Sequence, residues 1–288
     1  VNAPLSDRIA GCLVGGAVGD ALGGVAERGG ISLSDDTQLT LATCEAILAA
    51  GRVAPEQIAE RFRQGFRRTE FTGLGSGTLK ALRDLNAGAH WALAGRRGEM
   101  AAGNGAAMRV APLAFALDPA DPDDRVTLRD VCRITHHSDE AYIGALVVVL
   151  MIRRAVTTPV WEPEPVLFQR IAEDIPDSRV RDRLLEFAEL PAGLPLRDLA
   201  SLFGATGYVV HTVPLAMAAA LRITPESWET VLDEIVRTGG DADTIGSIAG
   251  QIAGTRLGLA GIPERLFTQV PDAARILSLA DDFGRVFG

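Results

Sequence analysis

Gly239-Gly240-Asp241-Ala242-Asp243-Thr244-Ile245-Gly246-Ser247-Ile248-Ala249-Gly250-Gln251-Ile252-Ala253-Gly254 decides how the chain is read. The paired glycines allow a tight turn or a close approach of backbone to a ligand. Asp241 and Asp243 flank one small residue, so at a turn both carboxylates can face one cation, and Thr244 adds a hydroxyl oxygen. From Asp243 to Leu257 the pattern predicts a helix. It is rich in Gly, Ala and Ser, although each interior Gly costs roughly 1 kcal/mol against Ala. Close packing of this helix around a central site accounts for that composition.

A second acidic stretch, Ser34-Asp35-Asp36, lies far upstream and opens another predicted helix, whose apolar residues run to Leu48 and which Gly51 stops. Capping alone explains such residues, because Ser and Asp satisfy free N–H groups and complement the helix dipole, an effect worth roughly 0.5–2 kcal/mol. Taken with Asp241, Asp243 and Thr244, however, the set becomes four carboxylates and two hydroxyls. These are hard oxygen donors suited to Mg²⁺ or Mn²⁺ and not to zinc. Brought together without cations, the carboxylates would repel and hold their protons more tightly.

The rest of the chain reads as helices as well. Pro55–Phe62 starts one with Pro in its first turn, and Gly77–Leu85 reads as the next. Asp139–Val156 is apolar on most sides and reads as a buried helix, although Val147-Val148-Val149 fits a strand by propensity. Pro214–Leu221, Glu226–Arg237 and Asp272–Ala280 are helix-like. Asp118–Arg125 and Pro159–Pro165 read as surface loops. With no succession of strands and no long linker, the expectation is an all-α chain folded as a single domain over residues 1–288.

Composition restricts the function. The 288 residues carry 28 basic and 37 acidic side chains, a net charge of -9, which argues against an extensive nucleic-acid face. Cys12, Cys44 and Cys132 have no metal-type spacing and lie in apolar segments, so buried free thiols and a reducing cytoplasm are expected. Val1–Asp20 lacks a signal-peptide pattern, and the longest apolar run, Ala145–Ile152, is too short to span a bilayer.

Six motifs in order carry a resemblance. They are Ile9–Gly23 with its Gly19-Asp20, Ser34-Asp35-Asp36-Thr37-Gln38, Gly103-Asn104-Gly105-Ala106-Ala107-Met108-Arg109, Ile134-Thr135-His136-His137, Gly207-Tyr208-Val209-Val210 and Gly239–Thr244. From Asp7 to about Gly258 the chain resembles the ADP-ribosylglycohydrolase family. The resemblance implies a compact multi-helix fold with a central binuclear Mg²⁺ or Mn²⁺ centre. It implies hydrolysis of the bond between C1 of a distal ribose and a modified side chain, with an ADP-ribosylated protein or other acceptor as substrate, arginine first among acceptors.

Carried over, the metal ligands are Ser34, Asp35, Asp36, Asp241, Asp243 and Thr244. Glu27, Asp35 and Asp36 become the acid/base candidates. Gly73, Gly75, Ser76 and Gly77 match a loop that approaches the phosphates, and Gly103, Asn104, Gly105, His136 and Tyr208 match the cleft wall. The plainer readings are a flexible loop at Gly73–Gly77, a turn at Asn104, a structural His136, a core Tyr208 and Met108, and a solvated Glu27 beside Arg28. Asp20 is expected to brace a helix and not to bind metal. Two departures from the family stand out: only Arg28–Leu33 separates Glu27 from Ser34, and Ala101-Ala102 precedes Gly103. The rival readings are a non-catalytic ADP-ribose binder of the same fold and an unrelated Mg²⁺-dependent phosphoester hydrolase. A monomer is expected.

Overall fold

The computed structural model describes residues 3–158 and 160–288. The chain is predominantly helical, as its periodicity predicts. In chain order the helices are α1 (Leu5–Gly23), α2 (Val25–Arg28), α3 (Asp35–Ala50), α4 (Pro55–Arg67), α5 (Ser76–Asn86), α6 (Leu113–Ala116), α7 (Pro122–Arg133) and α8 (Asp139–Thr157). Then follow α9 (Glu164–Glu173), α10 (Arg179–Ala188), α11 (Leu196–Phe203), α12 (Val209–Arg222), α13 (Trp228–Thr238), α14 (Ala242–Leu257), α15 (Glu264–Phe267) and α16 (Ala273–Phe287). Among the described residues the only strand pairing is parallel, between β1 (Arg96–Arg97) and β2 (His136–His137).

Local chemistry sets the ends that the sequence marks. Ser34 caps α3 by accepting from the Asp36 N–H, and Gly51 ends it with a left-handed φ of 66°. The Val147–Val149 run is helical inside α8, where burial outweighs its β propensity.

Four expectations shift. The Asp118–Arg125 loop ends at Asp121, which caps α7, and Pro122 takes the first helical position. The Pro159–Pro165 loop gives way to α9 at Glu164, and Pro159 itself lies outside the described residues. The helix expected from Pro214 begins at Val209, with a buried Pro214 inside it. Burial of the surrounding turn compensates for the backbone bond that the proline cannot donate. The last helix runs on to Phe287.

The core is built around α1 and α14, which pack along their lengths, with α12 and α8 against α14 and α16 against α1. Glycines make this approach possible. A Cβ on Gly11, Gly15 or Gly19 would collide with the carbonyl of Gly254, Gly250 or Gly246, and the reverse holds for each partner. The pairing is antiparallel, so the end of α1 lies against the start of α14. Cys12, Cys44 and Cys132 are free and buried, as expected. No helix among the described residues is long and apolar enough to cross a membrane.

Candidate active site

The antiparallel pairing brings the two acidic motifs together. Gly239 and Gly240 both take left-handed φ values, 68° and 69°, and deliver Asp241 to the mouth of α14. The Asp241 N–H is pinned there by the Ala205 carbonyl at 2.7 Å. Thr244 Oγ1 donates to Asp36 Oδ2 at 3.2 Å across 208 residues of sequence. Asp20, fully buried at the end of α1, accepts from Ser34 N, Ser34 Oγ, Thr37 N and Thr37 Oγ1. It therefore braces the first motif, as its sequence position predicts.

Asp35, Asp36, Asp241, Asp243 and Thr244 form one side of a cavity of about 260 Å³. Gly73, Gly75, Ser76 and Gly77 border it at the start of α5, and Gly103, Asn104, Gly105 and His136 also line it. The Gly73 loop touches the acidic side, since a Cβ there would lie 3.6 Å from Asp35 Oδ1. Asn104 Nδ2 donates to Asp241 Oδ2 at 2.5 Å and to Thr212 Oγ1 at 3.0 Å. It thus orients a carboxylate and is more than a turn residue. Met108 belongs both to the core and to the cavity lining.

Three sequence candidates stand apart from the lining. Ser34 lies beneath it, held by Asp20 and Asp36. Glu27 is exposed on α2, near enough to Asp241 to discourage that group from ionising. The Tyr208 ring sits edge-on to His211 at 5.0 Å. The backbone around Tyr208 serves the site instead, because Gly207 O accepts from Asn104 N and Val209 N donates to Ala102 O, bracing the Gly103 wall. Thr78, Arg96, Met100 and Gly207 also line the cavity, and the sequence reading does not single them out as site residues. Arg96-Arg97, a basic pair in an acidic chain, was the available signal for Arg96.

Electrostatics show what the acidic side lacks. Burial, then Asp243 and Asp20, push Asp35 up to about 8. Burial, then Asp20 and the other three acids, hold Asp36 well above the carboxylate range. Asp241 rises to about 6, chiefly through burial and partly offset by Asn104. Asp36 Oδ1 is buried without any hydrogen-bond partner. A hard divalent cation would relieve both the crowding and the orphaned oxygen, so the donor set fits Mg²⁺ or Mn²⁺.

Among the described residues, no three His, Cys, Asp or Glu side chains are yet arranged around a common ion position. Protein donors engage the carboxylates instead. Arg28 Nη1 lies 2.9 Å from Asp243 Oδ2, Asn104 holds Asp241, and Thr244 holds Asp36.

The sequence profile described as ADP-ribosylglycohydrolase matches residues 2–288. ADP-ribosylhydrolase ARH3 of Gallus gallus is 26% identical, over 90% of this chain and 88% of its own. ADP-ribosyl-[dinitrogen reductase] glycohydrolase of Rhodospirillum rubrum is 28% identical, over 89% and 88%. A solved structure titled "ADP-ribosylglycohydrolase-related protein complex" superposes with a TM-score of 0.74 and 28% identity, covering 98% of this chain and 99% of that one.

Proposed function

We propose that this chain, which belongs to the ADP-ribosylglycohydrolase family, is a hydrolase that removes ADP-ribose from an acceptor with the help of two divalent cations. The observation that carries this reading is the meeting of both acidic motifs at one end of a cavity whose other walls are glycine-rich loops. Ser34, Asp35, Asp36, Asp241, Asp243 and Thr244 would hold two Mg²⁺ or Mn²⁺ ions. Such a pair, when bound, supplies Lewis-acid polarisation and a more acidic water.

The protein's own groups supply the rest. Backbone N–H groups at the start of α5 bind phosphate oxygens, because small residues leave the backbone accessible there. Asn104 fixes Asp241, and Asp20 fixes Ser34 and with it the start of α3. Water oxygen bonds to C1 of the distal ribose while the bond from C1 to the acceptor breaks, and the acceptor leaves with a proton. The exposed Glu27 side chain makes no hydrogen bond or ion pair among the described residues, so its carboxylate can take the proton from water, with Asp35 and Asp36 as the alternatives. Holding reactants in place is the larger part of the rate gain.

For the acceptor we infer an arginine side chain first. An acidic cavity edge with an exposed Glu27 complements a cationic guanidinium. The deciding experiment measures ADP-ribose release from arginine-, serine- and base-linked substrates, with Mg²⁺, Mn²⁺ or EDTA. Release from the arginine substrate that stops with EDTA and in Asp241→Ala is the expected result. Full activity under chelation sinks the metal role. ADP-ribose binding without release from any substrate would make the chain a binder.

A further inference from the structure

We propose that Arg109 and Thr135 lock His136 into the tautomer protonated on Nε2, so that a neutral imidazole offers one fixed N–H donor to an oxygen of the cavity ligand. The identity of that ligand as an ADP-ribosyl group rests on the function proposed above; the lock itself does not.

The argument is one of donor and acceptor balance. A guanidinium has only donors, and Arg109 Nη2 lies 2.7 Å from Thr135 Oγ1. His136 Nδ1 lies 2.8 Å from the same oxygen. Thr135 is fully buried, and these are its hydroxyl's only hydrogen-bond partners among the described residues. Were Nδ1 protonated, both neighbours would donate to Oγ1, and the hydroxyl hydrogen would be buried with no acceptor. The opposite arrangement satisfies the Thr135 hydroxyl and His136 Nδ1 together and keeps the Arg109 Nη2 bond. Arg109 donates to Oγ1, the Thr135 hydroxyl donates to Nδ1, and the imidazole proton sits on Nε2.

The relay is held rigidly at its far end. Arg109 is fully buried, its guanidinium lies 5.2 Å over the Phe62 ring, and Nη2 also reaches the Val131 carbonyl at 3.2 Å.

The Nε2 edge opens toward the cavity because the residues over it are glycines. A Cβ on Gly77 would lie 3.0 Å from Nε2, and one on Gly103 would lie 3.1 Å away. His136 is 4% exposed, lines the cavity, and has no protein partner on Nε2 among the described residues. Burial first, then Arg109, His137 and Arg96, disfavour a second proton and bring its pKa down to about 3. A neutral donor orients the ligand without adding a positive charge that would compete with cations in the acidic half of the cavity.

Arg109 and Thr135 are positioning residues, and the test reads the tautomer directly. Long-range proton–nitrogen NMR of the full chain, with His136 assigned by its loss in His136→Gln, should show a bare Nδ1 and a protonated Nε2. Neither signal should titrate between about pH 5 and pH 8. A proton on Nδ1, or titration in that range, overturns the lock. Thr135→Val should mix or reverse the tautomers, and Thr135→Ser should restore the wild-type pattern. With ADP-ribose as the titrant, Thr135→Val and His136→Ala should each weaken binding about 2–10-fold, the share of one neutral hydrogen bond. Unchanged affinity in both variants overturns the ligand contact. If the wild-type chain fails to bind ADP-ribose, the functional reading fails, while the NMR result still decides the lock.

Discussion

Replacing Gly250 by Ala sets two effects of known sign against each other. In an unobstructed helix the change stabilises by roughly 1 kcal/mol, because Ala loses less backbone entropy. Here the new Cβ would overlap the Gly15 carbonyl oxygen, and a Cβ on Gly15 would overlap the Gly250 carbonyl in turn. A backbone oxygen cannot rotate away, so α1 and α14 must separate along the core's central contact. Overpacking of this kind costs roughly 1–3 kcal/mol. The net expectation is a loss of up to about 2 kcal/mol, a fall in melting temperature of up to about 4 °C for a chain of this size. The control is Gly30→Ala, where nothing lies within 4 Å and φ is not left-handed; it should change stability by less than about 0.5 kcal/mol. Thermal unfolding followed by circular dichroism reads both. A melting temperature that rises in Gly250→Ala refutes the packing argument, since it would mean the glycines are mere spacers in a loose interface.

In the absence of divalent cations, stability should fall as pH rises. Asp35 and Asp241 titrate at about 8 and about 6 in the fold, against about 4 for an unfolded Asp. The folded state therefore holds more protons at these two groups between those limits, so their contribution to stability is full below about pH 4 and is lost through about pH 6 and pH 8. Melts in EDTA at rising pH check this, and Asp35→Asn should flatten the upper part of the profile. Asp20→Ala should cost about 1–3 kcal/mol, because it leaves the buried Ser34 N–H and Thr37 hydroxyl without an acceptor, while Arg28 keeps Asp243. Equilibrium unfolding in urea measures that loss, and a change under 1 kcal/mol would remove Asp20 from its bracing role. Mn²⁺ at a hundred times its dissociation constant should stabilise the wild-type chain by about 2.7 kcal/mol. Asp243→Ala should lose most of that gain, and an equal gain in both proteins would place the ion elsewhere.

Features written in local chemistry were legible in the sequence. The Ser34 cap, the Gly51 stop and the Gly239-Gly240 turn depend on the residue in place and its nearest neighbours, so sequence alone predicts them. No helix is predicted over Leu5–Gly23, because Gly11, Gly15, Gly16 and Gly19 lower its intrinsic propensity. Its stability comes from α14, more than two hundred residues away. The pattern also predicts no helix at α9, α10 or α11, and Pro214 reads as a start because proline usually opens a helix. In the site, the acidic motifs were readable as a pair. Arg96 was not, since it reaches the cavity through a two-residue strand beside His136. The Arg109–Thr135–His136 relay was equally hidden, because hydroxyl and imidazole roles follow from distances and not from residue order.

The glycine seam between α1 and α14 also governs when the site can exist. Asp20 and the first acidic motif are synthesised about two hundred residues before Asp243 and Thr244. Until α14 has left the ribosome and found α1, the nascent chain holds only half of its acidic set, and the centre of its core is missing. Joining segments so distant carries a large loop-closure entropy and slows folding relative to local helix pairing. Competence for chemistry therefore reports on completeness. A chain cut short between residues 36 and 241 carries the first motif yet lacks the second, so under the proposed function it should be silent rather than partly active.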